Sequence, residues 1–296
     1  MREILKISVV VPCFNMKQYI RNTLDSIIHQ KYNNLELIII DGASTDGTLE
    51  ILKEYDSYIS CLVSEKDGGQ YFAVNKGLKL ATGDIVCWLN ADDIYFPWTF
   101  RLVSKVFMEH SNICWISGAT STMDDMGNIR SLGGTPIVKN TKAVRNGRFR
   151  NSVFGYLQNE GMFWRRAVQE KCGVTNTTYK LAADFELWTR FAVNYDLLSV
   201  TMPLASFRVR KDSRSISQSH AYEKEVEEIC LNLKDLPFLI KVFPNSAIVN
   251  KIFRLLSFRK GLVYFFNPVK NRFAIKSRRT NMSFYRFTDL LRFVLD

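Results

Sequence analysis

Short apolar runs and amphipathic segments alternate along the first 120 residues of the chain. The apolar runs include KISVVVP, LELIIID and DIVCWL, and the segments between them place their apolar residues at helical spacing, as in MKQYIRNTLDSIIHQ. Strands that are apolar throughout lie in sheets covered on both faces, and intervening helices join such strands in parallel. The pattern predicts an α/β fold in which helices flank a mainly parallel, Rossmann-like sheet.

The length and the cysteine and histidine positions exclude several other classes. With 296 residues, the chain can form one large α/β domain with an appendage. None of the six cysteines forms a CxxC pair, and the three histidines lack helical metal-ligand spacing, so we expect reduced cysteines and no histidine metal site. There is no apolar run of membrane-spanning length and no signal peptide, so we expect a cytoplasmic protein.

Nearly all of the net positive charge lies at the C-terminal end. The formal net charge is +11, and residues 241–296 contribute +10 of it through twelve Lys or Arg against two Asp. In NKIFRLLSFRKGLVYFF, apolar residues near helical spacing alternate with basic ones. This composition predicts a basic, mostly helical extension that lies on an anionic membrane surface or packs on the rest of the chain. A basic nucleic-acid-binding protein is the less favoured alternative: because the first 240 residues are nearly neutral, no nucleic-acid partner is expected.

Polar and acidic residues follow the first four apolar runs directly. The four ends read PCFN, DGASTDGT, SEKDGGQ and NADD, which places Asp41, Asp67, Asp92 and Asp93 at the carboxyl edge of the predicted sheet. Ligands of open parallel sheets bind at this edge. The first strand is followed by neither GxGxxG nor a Walker sequence, so the acids would hold a diphosphate through Mg²⁺ or Mn²⁺. The alternative is that the two adjacent acids cap the next helix.

Four segments together resemble the family 2 glycosyltransferases, which have the GT-A fold. They are SVVVPCFN, LIIIDGASTDGT, SEKDGGQYFAVNKGLKLATGDIVCWLNADD and YKLAADFELWTRF, in the family's order over about residues 5–215. The resemblance implies an inverting transferase that moves a sugar from a nucleotide-diphosphate donor, expected to be a UDP-sugar, to a glycan or lipid-linked saccharide. It implies a GT-A domain over 1–237, with a nucleotide-binding half (1–120) and an acceptor half (121–237), before the extension (238–296).

The resemblance assigns the nucleotide site to the first three loops. Asp41 would accept a hydrogen bond from the base, which suits the N3–H of uracil, although guanine also presents N–H donors. Pro12, Phe14 and Asn15 would line the same pocket. Asp67 would help to position the nucleotide.

The resemblance also assigns the NADD segment to the family's DxD-type motif. Asp93 would be the main metal ligand, and Asp92 would contact the ribose or share the metal. Asn90 would also face the nucleotide, at a position where many relatives have Asp. That replacement lowers the negative charge around the metal without removing the carboxylate pair.

Asp184 of LAADFELW corresponds to the catalytic base of the family. It would take the proton from an acceptor hydroxyl while that oxygen attacks the anomeric carbon, and the metal would neutralise the leaving diphosphate. Glu186 lies about 200° further around the same helix, so the two carboxylates cannot face one proton. A helix cap is the alternative role for Asp184.

Two positions depart from the family pattern. Arg210 stands where relatives often have His, and it would pair with diphosphate oxygens instead of binding the metal. Asn159 also stands where relatives often have His, which leaves the acceptor open. These departures leave room for a catalytically weak relative that binds nucleotide-sugar without transferring it. The basic extension would place the enzyme at the inner face of a membrane, beside a lipid-linked acceptor.

Overall fold

The computed structural model describes residues 4–132, 140–151, 155–210, 212–233, 260–267 and 272–279. Its strands are β1 (Ile7–Cys13), β2 (Leu35–Asp41), β3 (Cys61–Ser64), β4 (Ile85–Trp88), β5 (Ile94–Tyr95), β6 (Trp115–Ala119), β7 (Ser121–Met123), β8 (Ile129–Leu132), β9 (Arg150–Asn151), β10 (Gly155–Tyr156), β11 (Met162–Arg165), β12 (Leu197–Pro203), β13 (Ala205–Arg208), β14 (Lys260–Asn267) and β15 (Arg272–Arg279). Its helices are α1 (Ile20–Ile28), α2 (Thr48–Glu54), α3 (Gln70–Leu80), α4 (Thr99–Glu109), α5 (Thr141–Arg145), α6 (Arg166–Cys172), α7 (Ala183–Asn194), α8 (Arg214–Ser217) and α9 (Ser219–Asn232).

Nine of these strands form one central sheet, in the order β15-β14-β12-β6-β11-β4-β1-β2-β3. The pairs β1–β2, β1–β4, β2–β3, β6–β12 and β12–β14 are parallel, whereas β11 and β15 run antiparallel to their neighbours. Cys13 lies opposite Asp41, and Asp41 lies opposite Ser64, so β1, β2 and β3 end level with one another. The predicted α/β fold with a mainly parallel sheet is confirmed.

A cluster of tryptophans holds α7 against the centre of this sheet. Trp188 of α7 stacks on Trp88 at the end of β4, with 5.4 Å between ring centroids, and meets Trp164 of β11 edge-to-face at 5.6 Å. All three side chains are almost completely buried. Buried aromatic pairs of this kind stabilise a fold beyond the area that they bury. The cluster therefore fixes the N-terminal turn of α7, which carries Asp184, relative to the carboxyl end of β4.

A second sheet, in the order β5-β13-β7-β8, lies beside the carboxyl end of β4. Its β7–β8 hairpin turns through Asp124–Gly127, where the Gly127 N–H donates to the Asp124 carbonyl. Strand β13 pairs with β5 on one side and with β7 on the other. It ends at Arg208, so it delivers two arginines, Arg208 and Arg210, to the residues that follow β4.

The described part of the C-terminal extension consists of strands. β14 pairs in parallel with β12, and β15 pairs with β14, so both join the central sheet. Val263 and Tyr264 are buried there. The prediction of helix is therefore wrong for 260–267 and 272–279, because pairing with the free edge of β12 satisfies the backbone and buries apolar residues. The remainder of the predicted helical extension lies outside the described residues.

Two further expectations can be compared with the structure. All six cysteines are free thiols, as predicted. Of the helices in the described ranges, none has both the length and the apolar character needed to cross a bilayer.

Candidate active site

The loops after β1 and β2 are tied together by hydrogen bonds around Asp41. This carboxylate is fully buried and accepts hydrogen bonds from the Ser44 N–H at 3.0 Å, the Ser64 hydroxyl at 2.6 Å and the Ser44 hydroxyl. Asn15 closes the arrangement: its N–H donates to Ser44 Oγ at 2.7 Å, and its Oδ1 accepts from the Thr45 N–H at 2.9 Å. Oδ2 thus accepts two of these hydrogen bonds and Oδ1 accepts one.

Phe14 and Asp67 flank the same loops. A Cβ added at Gly42 would lie 3.2 Å from the Phe14 ring and 3.4 Å from Asp67 Oδ2, so the glycine lets these two side chains approach each other. Phe14 is 56% exposed, although it is a large apolar residue. Asp67 Oδ1 accepts from the Gly69 N–H at 2.7 Å, and Pro12 is buried within β1. The residues predicted to hold the nucleotide thus gather at the ends of β1, β2 and β3.

Asp93 forms the buried centre of an acid cluster after β4. It has no exposed surface, and both oxygens accept hydrogen bonds: Oδ1 from the Arg208 N–H at 2.7 Å, and Oδ2 from Asn90 Nδ2 at 3.0 Å. Burial and the charges of Asp92 and Glu160 raise the pKa of Asp93 well above its usual range. Each Asp93 oxygen thus already accepts one hydrogen bond, and the side chain has no exposed surface.

Asp92 lies at the edge of the cluster and keeps 9% of its surface exposed. Its Oδ2 lies 3.0 Å from Arg210 Nε, but out of line for a hydrogen bond, so the contact is a simple ion pair. Burial raises the pKa of Asp92, and the Arg210 guanidinium counteracts this effect. Arg210 therefore contacts the carboxylate predicted to bind the metal.

Glu160 is a third carboxyl in the cluster and was not predicted. It is almost fully buried, and its Oε1 lies 3.4 Å from Asn90 Nδ2. Burial, together with the charges of Asp184 and Asp92, raises its pKa to about 7. Three carboxyls that hinder one another's ionisation form a site that is favourable for positive charge.

The donor set is compatible with a divalent cation. Among the described residues, no group of three or more His, Cys, Asp or Glu side chains is arranged to hold a metal ion by itself. A cation of the Mg²⁺ type needs no such cage, because one or two carboxylates and the substrate phosphates hold it. Asp92 offers a carboxylate at the exposed side of a buried acid cluster, so the residues fit this mode of binding.

Asp184 is half-buried in the first turn of α7. Its Oδ1 accepts from the Phe185 N–H at 2.8 Å and from the Tyr71 hydroxyl at 3.0 Å, and the same hydroxyl lies 2.9 Å from the Leu181 carbonyl. Burial raises the pKa of Asp184, while these hydrogen bonds hold it down. A carboxylate with a raised pKa and partial exposure is suited to accept a proton from a bound hydroxyl. Glu186 faces elsewhere and pairs with Arg190 at 2.6 Å.

An open cleft of about 490 Å³ lies beside Arg210, the partner of Asp92. It is lined by Asn15, Lys17, Gln18, Tyr19, Asp46, Arg210 and Asp212. The cleft thus runs from the loop after β1 to the arginine that pairs with Asp92. It offers a polar space of the size that small-molecule ligands occupy.

Comparison with known proteins places the chain in a family. The sequence model described as glycosyl transferase family 2 matches residues 8–167. The chain belongs to glycosyl transferase family 2. EpsE of Bacillus subtilis (strain 168), a glycosyltransferase by name, is 28% identical over 292 residues, covering 87% of this chain and 97% of EpsE. TuaG of the same organism, named as a teichuronic acid biosynthesis glycosyltransferase, is 30% identical over 158 residues, covering 51% of this chain and 60% of TuaG.

Two solved structures share the fold of this family 2 glycosyltransferase. S. aureus TarS 1–349 in complex with UDP-GlcNAc matches with a TM-score of 0.61 at 19% identity, covering 86% of this chain and 76% of TarS. The mannosyltransferase PcManGT from Pyrobaculum calidifontis, in complex with GDP-Man and Mn²⁺, matches with a TM-score of 0.58 at 21% identity, covering 81% of this chain and 68% of PcManGT. The expected GT-A fold is confirmed.

Sequence analysis did not identify several residues at the candidate site of this family 2 glycosyltransferase. Glu160 lies in LQNEGMFWRR, just before an apolar strand. An acidic residue next to an apolar run could have marked it as a candidate site residue. Tyr71 and Arg208 gave no signal, because one lies within a helix and the other within a strand. Asn159 is buried, with its Nδ2 3.4 Å from the Trp88 carbonyl, and among the described residues its Oδ1 has no partner.

Proposed function

We propose that this chain transfers a sugar from a nucleotide-diphosphate donor, with a UDP-sugar as the first candidate, to a hydroxyl of a glycan or lipid-linked saccharide, with inversion at the anomeric carbon. The named ligands of two relatives in fold support a donor of this class: TarS is complexed with UDP-GlcNAc, and PcManGT with GDP-Man and Mn²⁺. If Asp41 accepts a hydrogen bond from the base, as predicted from the sequence, the N3–H of uracil would suit it, although guanine also presents N–H donors.

The observation that carries the proposal is that a base and a cation site lie in one network. Gln70 begins α3 and donates to Asn90 Oδ1 at 2.7 Å, and the next residue, Tyr71, donates to Asp184. The charge of Asp184 acts on Glu160, which lies next to Asn90 and Asp93. Single-displacement transfer needs a proton acceptor on one side of the anomeric carbon and positive charge on the other. In this proposal Asp184 is the proton acceptor, and Arg210 with a cation at Asp92 supplies the positive charge.

Residues of this chain can carry out proton acceptance and diphosphate binding in the proposed reaction. Asp184, oriented by Tyr71 and the Phe185 N–H, accepts the proton of the acceptor hydroxyl as its oxygen attacks the anomeric carbon. The bond between that carbon and the diphosphate oxygen breaks, and the electron pair stays with the diphosphate. Arg210 can pair with diphosphate oxygens, because its planar guanidinium presents several donors.

Asp92 is the carboxylate that would hold a divalent cation, and that cation would supply positive charge to the leaving diphosphate. We assign Asp93 the different role of supporting the site, because both of its oxygens hold neighbouring groups in place. This proposal differs from the sequence-based prediction, which named Asp93 as the main metal ligand.

A donor screen tests the proposal. The purified chain is mixed with each of a panel of nucleotide-sugars and Mn²⁺, with and without simple saccharide acceptors, and nucleotide diphosphate release is measured. We expect release from one donor, stimulated by an acceptor and lost in Asp92→Asn. Tight donor binding with neither hydrolysis nor transfer would favour the alternative that this is a relative that binds nucleotide-sugar without transferring it.

We also propose that the basic extension brings the enzyme to the inner face of a membrane. Lys276 is exposed on β15 at the edge of the central sheet, in a segment rich in basic residues. Each basic residue near an anionic surface contributes roughly 1 kcal/mol. The full chain should float with anionic vesicles at low salt and be released at high salt. Lys276→Glu changes the charge by two units and should weaken the partition roughly thirtyfold. Equal flotation with neutral vesicles would contradict this proposal.

A further inference from the structure

An arginine already occupies the carboxylate at which the proposed cation would bind. Arg210 Nε lies 3.0 Å from Asp92 Oδ2, and only 11% and 12% of the two side chains are exposed. Water screens such a pair far less than it screens a surface pair. A divalent cation that approaches Asp92 in the free enzyme therefore meets a positive charge within bonding distance of its ligand.

The neighbouring arginine does not share this role. Arg208 directs its Nε to the Asp92 carbonyl at 2.7 Å and its Nη1 to the Asp125 carbonyl at 2.9 Å, so its guanidinium holds the backbone. Its N–H binds Asp93, but this is a backbone group without formal charge. Among the described residues, Arg210 is thus the cationic side chain placed on the Asp92 carboxylate.

Arg210 has other partners that it can keep when it leaves Asp92. Its Nη1 lies 3.4 Å from Asp212 Oδ2, and its guanidinium carbon lies 4.7 Å from the centre of the Tyr19 ring. Asp212 is largely exposed and, like Tyr19, lines the open cleft. The pair with Asp92 lacks a linear hydrogen bond, so little directional energy is lost when it separates.

We infer that Arg210 competes with the divalent cation for Asp92, so that the free enzyme binds the cation weakly and takes it up together with the donor diphosphate. Arg210 then exchanges the carboxylate for phosphate oxygens while Asp212 and Tyr19 retain it at the cleft. This inference rests on the proposed donor and cation chemistry of the same site, and it adds an order of binding.

The test measures binding of Mn²⁺ to the full chain without any sugar transfer. Free Mn²⁺ is quantified by electron paramagnetic resonance during titration with MnCl₂, with and without UDP. The variant Arg210→Gln removes the competing charge. The matched control is Arg21→Gln, which removes an arginine paired with Glu54 at 2.8 Å on the surface. A unit charge a few ångströms from a divalent ion changes its affinity by roughly tenfold or more even in bulk water.

We expect Arg210→Gln to bind Mn²⁺ at least about tenfold more tightly than the unaltered chain when no nucleotide is present, and Arg21→Gln to match the unaltered chain. Adding Asp92→Asn to Arg210→Gln should cancel the gain. UDP should increase the affinity of the unaltered chain more than that of Arg210→Gln. Misfolding cannot mimic a gain in affinity that depends on Asp92.

An Arg210→Gln affinity equal to or below that of the unaltered chain would overturn the inference. If that variant does not fold, Arg210→Met replaces it: it also removes the competing charge, so the same gain in Mn²⁺ affinity is expected, and no gain refutes competition. A gain in Mn²⁺ affinity without transfer from any donor would refute only the proposed function. Transfer without such a gain would refute only this inference.

Discussion

The substitution Asp184→Asn separates proton acceptance from every other role of this side chain. The amide oxygen of Asn can still accept from the Phe185 N–H and the Tyr71 hydroxyl, which lie 2.8 Å and 3.0 Å from Asp184 Oδ1. The first turn of α7 should therefore keep its position. What is lost is the capacity to take a proton, because an amide is not a base at neutral pH.

The expected loss in turnover is about two to four orders of magnitude, the usual contribution of general acid–base catalysis. This corresponds to roughly 3–5 kcal/mol of transition-state free energy. Donor affinity should change little, because the proposed base would contact the acceptor and not the donor.

Stability provides a second readout for the same substitution. Burial raises the pKa of Asp184 in the folded state. Between the unfolded and folded pKa values the folded chain binds more protons, so the stability of the unaltered enzyme falls as pH rises through that window. Asp184→Asn lacks this titration, and its stability relative to the unaltered enzyme should therefore increase with pH.

The assay couples release of nucleotide diphosphate to a spectroscopic signal under single-turnover conditions, and calorimetry gives donor affinity. Glu186→Gln is the matched control: it removes a carboxylate from the same helix, but one that pairs with Arg190. We expect its turnover per folded molecule to match the unaltered enzyme. Turnover of Asp184→Asn within tenfold of the unaltered enzyme, or loss of donor binding with intact turnover, would refute the assignment.

Three other outcomes follow from the same structure. Tyr71→Phe removes a hydrogen bond that lowers the pKa of Asp184, so the acidic limb of kcat/KM against pH should move to higher pH, and an unmoved limb would mean that another group titrates. EDTA should abolish transfer and Mn²⁺ or Mg²⁺ should restore it, whereas full activity in EDTA would exclude a required cation. Gly83→Ala places a carbon 2.5 Å from Ser8 Oγ and 2.8 Å from its backbone N, and should cost about 2–3 kcal/mol of unfolding free energy in urea titration. Gly161→Ala is its control, since the nearest contacts there are 3.5 Å or longer, and equal losses in both would contradict the packing argument.

The composition of the C-terminal extension is compatible with both an amphipathic helix and sheet strands. Apolar and basic residues interleave in NKIFRLLSFRKGLVYFF and RFAIKSRR in a way that suits an amphipathic helix on a membrane. In the structure, Leu262 and Val263 pair with Leu198 and Ser199 of β12. Local periodicity could not predict this outcome, because the free edge of β12 exists only after the sheet has formed.

The sequence by itself determined the α/β class, the strands β1 to β4, and the position of Asp41, Asp67 and Asp92 at their carboxyl ends. It could do so because strand and helix periodicities are local, and because parallel strands bring their ends to one edge of the sheet. The order and spacing of the four motifs likewise indicated the family, since both are properties of the linear chain.

Only the tertiary structure decided how the acids differ from one another. Asp92 and Asp93 are adjacent in the chain. Asp92 nevertheless pairs with Arg210, whereas Asp93 accepts hydrogen bonds from the Arg208 N–H and Asn90. Glu160 reaches Asn90 from 70 residues away in the sequence. Burial and charge at a site depend on which distant elements pack around it, and packing of that kind cannot be read from the residues on either side of a carboxylate.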